Sequence, residues 1–340
     1  TDINYLATLP TALMIVGTAF GSLIASKIMK MMGRRFGFSL AAIINSLFSL
    51  FCAYAILINS FELFCLGNLI IGLSVAFAQQ YRFAASESVE KSNIPKAISL
   101  ILLLGIVASL LGANIVSVTK DFHQTTYVGS YISMSLLTII PFFFFVFYKN
   151  EEKIESKIVK SQKSIFELLS NKNIQLSILS AGIGYTTMST LMTATPISMN
   201  MMHGFSLFST GIVLQIHVVG MFLPSLITGD LIKIFGHKKM IYSGIIILLI
   251  TIIIHFNFET YYGYMIGLLL LGIGWNFLFV SGTSLLVVSY NKEDKFLAQG
   301  VNDFVVFSSQ ALGSLSAGII LFSTSWQTLN LICLPLLIIL

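Results

Sequence analysis

The stretch Ser26-Lys27-Ile28-Met29-Lys30-Met31-Met32-Gly33-Arg34-Arg35 is a short basic turn between two apolar runs, each long enough to cross a bilayer. Far downstream the chain repeats it as Gly229-Asp230-Leu231-Ile232-Lys233-Ile234-Phe235-Gly236-His237-Lys238-Lys239. Gly33 and Gly236 lie 203 positions apart, each with a Lys three residues earlier (Lys30, Lys233) and a basic cluster after it. A fixed internal period of this kind sets topology and domain division together.

Composition agrees with what these flanks imply. Of the 340 residues, 56% are hydrophobic and only 10% charged, against about 25% charged in an ordinary soluble domain. One globular core could not hide 28 Phe, so the solvent for much of this surface is lipid. The apolar runs are continuous, as in Ile98–Val118, whereas barrel strands alternate over about ten residues. The expected class is an all-α polytopic membrane protein. The net charge of +5 sits in short loops between apolar runs, which argues for topology rather than nucleic acid as its cause. Cys52, Cys65 and Cys333 fall inside apolar segments without paired spacing, so neither a disulfide nor a metal is expected. No cofactor motif is present.

Spans are expected at 6–28, 36–57, 61–83, 97–118, 128–148, 174–196, 206–228, 239–256, 261–283 and 299–321, with a partial one from 328. Eighteen of the 19 Lys and Arg residues fall in alternate loops on one side, and only Lys120 lies opposite. The positive-inside rule makes those loops cytoplasmic and puts residue 1 outside. An offset near 203 pairs the span before Gly33 with the span before Gly236, and Gly72 falls on Gly272 at an offset of 200. The span at 174–196 then lacks a counterpart, so we expect one further span upstream of Thr1 and a last span cut short. The expected division is an N-terminal half (1–148), a basic linker (149–172) and a C-terminal half (173–340). Ile154, Ile158, Phe166 and Leu169 in the linker suit either an interfacial helix or a plain solvated tether.

Two parallel six-helix halves, a basic cytoplasmic linker and a basic Gly turn after the second helix of each half resemble the major facilitator superfamily. The resemblance covers essentially the whole chain. The family turn usually reads Gly-x-x-x-Asp-Arg-x-Gly-Arg-Arg/Lys; here Ser26 stands at its first Gly, and Lys30 and Lys233 at its acid. The family's fourth-helix motif places an Arg four residues before a Gly, where this chain has Asn68 and Gly72. The Gly-Pro motif of its antiporters is reduced to Gly112-Ala113. The strings Tyr81-Arg82-Phe83-Ala84-Ala85, Met192-Thr193-Ala194-Thr195-Pro196, Gly274-Trp275-Asn276-Phe277 and Gln299-Gly300-Val301-Asn302-Asp303-Phe304 look like a poorly characterised bacterial branch. The resemblance implies a secondary transporter of a small organic solute in the bacterial cytoplasmic membrane, working by alternating access as a monomer, with protons as a candidate coupling ion. The alternative is a transport-inactive relative acting as a membrane receptor or assembly partner.

Polar groups at membrane depth are costly and therefore informative. Arg82 and Asp303 are placed at or just inside cytoplasmic helix ends in opposite halves, so they could pair as a gate or snorkel separately. Lys30, Gly33, Arg34 and Gly236 complete the gating candidates, with Asp303 the expected partner of Lys30. Near mid-depth stand Tyr185, His217, Asn276 and Gln310, with Trp275 beside Asn276. These form the candidate substrate site, expected to face a wet cavity or one another. Ser74 is the one counterpart noted in the N-terminal half. A neutral, partly aromatic solute suits such a set better than a highly charged one. His217 is a candidate proton carrier, because imidazole titrates near neutrality, or a plain packing residue; a buried acid on the missing helix is the other route. Glu62 and Glu259 read as solvated external residues. No phosphate loop, GxSxG or His-Glu-x-x-His appears, so an enzyme is not expected.

Overall fold

The computed structural model describes residues 9–148 and 163–340, and the described residues form helices and turns only. Most of the linker expected at 149–172, with Ile154 and Ile158, lies outside them. The chain runs through α1 (Leu9–Leu57), α2 (Phe61–Gln79), α3 (Tyr81–Glu87), α4 (Ile94–Thr119), α5 (Val128–Val146) and the short α6 (Ile165–Leu169). It continues through α7 (Lys172–Ile197), α8 (Leu207–Phe222), α9 (Ser225–Phe235), α10 (His237–Asn257), α11 (Tyr261–Ser289), α12 (Lys295–Ser323) and α13 (Trp326–Ile339). Among the described residues, eight helical stretches are long and apolar enough to cross a membrane. The helix α7 is not among them, because Ser and Thr recur along it, from Ser177 and Ser180 to Thr193 and Thr195.

The two quoted turns are the same object. Within α1, Gly33 has φ 82° and ψ 164°; between α9 and α10, Gly236 has φ 83° and ψ 159°. That region of backbone space is essentially closed to residues with a Cβ. A single Gly therefore breaks each helix where the sequence suggested a loop of several residues. The period recurs elsewhere. The N-caps Ser60 and Thr260, 200 positions apart, each accept a hydrogen bond from the backbone N–H three residues on. Short 3₁₀ turns at Lys91–Asn93 and Lys292–Asp294 precede α4 and α12. Gly72 and Gly272 both sit against neighbouring backbone, of Met14 and of His217 and Met221, which small residues permit.

Two expected spans are broken. The span at 61–83 divides at Gln80, whose buried side chain turns inward. The span at 206–228 divides at Pro224, which lacks the N–H that would continue α8 and crowds the preceding turn.

The structure resolves into two compact units. Of the described residues, the first comprises 9–84, 108–148, 163–166 and 291–308; the second comprises 85–107, 167–290 and 309–340. Both α4 and α12 thus contribute to each unit. In the first, Ala25, Met29, Phe38, Ala41, Ala76, Phe77 and Ala84 form an apolar core. In the second, Ile94, Ile98, Ile232, Met240 and Val280 do so.

Candidate functional site

In the first unit, charge is gathered at the end that carries Gly33. The Arg82 guanidinium donates to the Asp303 carboxylate, and both side chains are almost fully buried. Asp303 also accepts from Gln80 Nε2 at 2.8 Å and from Asn302 Nδ2 at 2.9 Å. A buried carboxylate is tolerable only when its lone pairs are filled in this way. Arg34, also buried, donates to Gln299 Oε1 at 3.0 Å and lies over the Phe296 ring at 5.3 Å. Ser26 donates to the Phe296 carbonyl. The turn around Gly33 therefore packs on the start of α12. Lys30 does not take the role expected of it: it is exposed, and the Asp303 carboxylate is occupied by Arg82, Gln80 and Asn302. Among the described residues two further buried charged side chains, Asp294 and Lys295, escaped the sequence reading; Lys163 reaches Asp294 at 3.6 Å.

The corresponding end of the second unit is built differently. Lys233 donates to Asn93 Oδ1 at 2.7 Å, and Lys96 lies 3.5 Å from Asp230 with both side chains at least half exposed.

The mid-depth candidates of the second unit separate into two kinds. Tyr185, half-buried on α7, meets Trp275 and Phe279 of α11 edge-on at ring-centroid distances of 5.1 and 5.2 Å. Trp275 and Phe279 are stacked at 5.0 Å, and the Phe222 ring at the end of α8 meets Trp275 edge-on at 6.1 Å. The Trp275 indole N–H is buried without a hydrogen-bond partner, at a cost of about 1–3 kcal/mol for such a group. Phe279, four residues after Trp275, was legible as a neighbour on one helical face; Phe222 was not.

Asn276 does not face a wet cavity. It is fully buried, donates to the Met221 carbonyl and to Ser225 Oγ, both at 2.7 Å, and accepts from Thr228 Oγ1 at 2.8 Å. It secures the break at Pro224. His217 is also fully buried. Its Nδ1 lies 2.8 Å from the Leu268 carbonyl, which can only accept, so Nδ1 carries the proton and Nε2 is left unpartnered. Gln310 is half-buried, and its backbone carbonyl accepts from Ser189 Oγ at 3.2 Å. In the first unit Ser74 is not alone: Asn45 donates to it at 2.9 Å, and Ser46 meets Ser135 at 2.8 Å.

At the opposite end of the second unit, Glu259 is held rather than freely solvated. It meets His203 Nε2 at 2.7 Å and accepts from Gln327. The Tyr264 hydroxyl joins the group at His203 Nδ1, 3.2 Å away, and also meets Ser198 Oγ at 2.7 Å. His203 and Glu259 are 56 positions apart in separate turns, and no spacing announced their meeting.

Comparison with known proteins places this architecture. The Major Facilitator Superfamily family model matches residues 2–223 and 178–340. The chain is 33% identical to the riboflavin transporter RfnT of Brucella anthropi over 337 residues, 97% of this chain and 84% of that protein. It is 30% identical to the MFS-type transporter YdeG of Bacillus subtilis, over 96% of this chain and 80% of that one. Among solved structures, the transporter FucP in its outward conformation superposes with a TM-score of 0.78, covering all of this chain and 90% of that one at 14% identity. A bacterial homologue of the iron transporter ferroportin, outward-facing, gives 0.74 at 11% identity over 98% and 88%. At that identity these two speak for the fold alone.

Proposed function

The chain belongs to the Major Facilitator Superfamily, and from that premise we propose a secondary transporter whose solute is neutral, planar and aromatic, with riboflavin the first candidate. The observation that carries this reading is the aromatic cluster of Tyr185, Phe222, Trp275 and Phe279, which holds one buried, unpartnered indole N–H. Flat π-faces stack on such rings, and a heteroaromatic ring supplies the acceptor that Trp275 lacks. The name carried by the Brucella relative points the same way. His217 Nε2 is the candidate second contact, and its unpartnered lone pair makes it the candidate proton carrier.

Alternating access requires that one end close while the other opens. We assign the closing contact at the basic, cytoplasmic end to Arg82–Asp303, with Gly33, Arg34 and Gly236 shaping the turns beside it. The halves that move are residues 1–148 and 173–340, joined by 149–172, in a cytoplasmic membrane.

The test is counterflow of labelled riboflavin in proteoliposomes. Unlabelled riboflavin on the inside is expected to drive uptake of label. Trp275→Leu and Tyr185→Leu should raise the half-saturating concentration about tenfold or more at normal abundance, since a stacked aromatic contact is worth on the order of 1 kcal/mol beyond the area it buries. Absence of counterflow for riboflavin and for other planar heteroaromatics would move the reading to the receptor alternative. Unchanged half-saturation in both variants would move the site elsewhere.

A further inference from the structure

The second unit holds a cleft of about 430 Å³ at its basic end, lined by Lys91, Ser92, Pro95, Ile232, Lys233, Gly236, His237 and Val288. We propose that it binds the phosphate of an anionic lipid, with an acyl chain following its apolar wall. The site is separate from the aromatic cluster and does not depend on the solute proposed above.

Two lysines line it from different segments. Lys91 comes from the 3₁₀ turn before α4, and Lys233 from the last turn of α9. Lys233 donates one of its three N–H bonds to Asn93; the others remain for a ligand. Asp230, the acid nearest to Lys233 in sequence, lies with Lys96 instead, and Glu90 beside Lys91 is not among the lining residues. The imidazole of His237 meets Ser284 Oγ at 2.9 Å.

The backbone adds to this. Gly236 opens α10 without a side-chain cap, so the first N–H groups of a 21-residue helix meet the cleft unsupported by a carboxylate or hydroxyl. Lys238 and Lys239 follow in that first turn, the wrong end of the helix dipole for cations. An anion there relieves both the orphan donors and the like-charge crowding.

The choice of ligand follows from the walls. Pro95, Ile232 and Val288 are apolar, and Ile234 and Phe235 beside them are exposed at 72% and 52%. Free phosphate would leave those walls wet. A lipid phosphodiester puts its charge between the lysines and its chain along the apolar strip, at the membrane face where positive loops attract anionic lipids. Bound in this way it would tie the segment before α4 to the α9–α10 turn.

The test uses the full chain in detergent micelles with added lipid, read by native mass spectrometry and by the thermal unfolding midpoint. Phosphatidylglycerol is expected to be retained and to raise the midpoint more than phosphatidylcholine does. Retention should fall about fivefold for each of Lys91→Gln and Lys233→Gln. The pair Lys91→Arg and Lys233→Arg should keep it, as should Lys96→Gln outside the cleft. Inorganic phosphate raising the midpoint as much as the lipid, and losing that effect with the same lysines, would support the anion site and assign it to a soluble phosphate. Equal retention of both lipids by the unaltered chain, or full retention by the double Gln variant, would overturn the proposal.

Discussion

The turns at Gly33 and Gly236 have the same backbone, and the chemistry around them is opposite. At the first, Arg34 is buried against Gln299 and Phe296, and nearby Arg82 is buried against Asp303. At the second, Lys233, Lys238 and Lys239 are exposed and the packing behind them is apolar, through Ile94, Ile98, Ile232, Met240 and Val280. The repeat makes the contrast pointed. An offset of 200 sets Gly282 opposite Arg82, and an offset of 201 sets Leu102 opposite Asp303. The positions that the repeat pairs with Arg82 and Asp303 thus carry no charge.

The difference teaches that duplicated backbone does not oblige duplicated energetics. An apolar seam loses free energy in proportion to the area it exposes. A buried ion pair behaves otherwise, because water that enters solvates both charges and returns much of their desolvation cost. The charged copy therefore suits a contact that opens and closes, as the proposed gate requires.

The largest expected effect breaks this contrast on the charged side. Asp303→Ala leaves the Arg82 guanidinium buried without its carboxylate, at a cost of about 3–5 kcal/mol. Arg82→Ala should cost a similar amount. The double variant Arg82→Met with Asp303→Leu, which removes both charges and keeps the space filled, should recover most of the loss. Thermal unfolding in detergent measures all three. Costs that simply add in the double variant would mean that the two residues act independently.

Much of this fold was legible because a bilayer permits few solutions: continuous apolar runs, one-sided lysines and a repeated Gly turn leave little freedom. The joining of Arg82 to Asp303, 221 positions apart, was readable as a possibility because charges at membrane depth seek partners. The assignment of Lys30 to Asp303 failed on geometry, since the break at Gln80 turns that side chain toward the carboxylate and Arg82 follows two residues later. Asn276 looked like a recognition residue because an amide at mid-depth must bond to something. Its partner proved to be the backbone opened by Pro224, which becomes visible only once α8 and α9 are placed against α11. The Tyr185–Trp275 contact could be suspected from depth alone, but Phe222 could not, because its register depends on the same break.

An intermediate effect sharpens the backbone half of the comparison. Gly33→Ala and Gly236→Ala should each cost about 1–3 kcal/mol, the strain of forcing a Cβ into that conformation. A Cβ at Gly236 would meet nothing within 4 Å, so strain alone acts there. Equal costs at the two positions would confirm that the turns are energetic as well as geometric copies; a cost near zero at either would show that its turn relaxes.

The smallest effect concerns the ion pair beside the second turn, Lys96–Asp230, at 3.5 Å with its side chains 63% and 50% exposed. Water already solvates both charges, and holding two mobile side chains together carries an entropic cost. Lys96→Gln should therefore change stability by no more than about 1 kcal/mol, and that change should vanish in high salt, where the Debye length falls to about 3 Å at 1 M. Arg82→Ala, by contrast, should keep its full penalty in the same salt, because ions do not reach a buried pair. Measuring both variants at low and high ionic strength thus separates the two copies by burial rather than by charge. A salt-insensitive loss of several kcal/mol at Lys96 would mean that this end, too, closes on a desolvated ion pair, and the asymmetry between the copies would disappear.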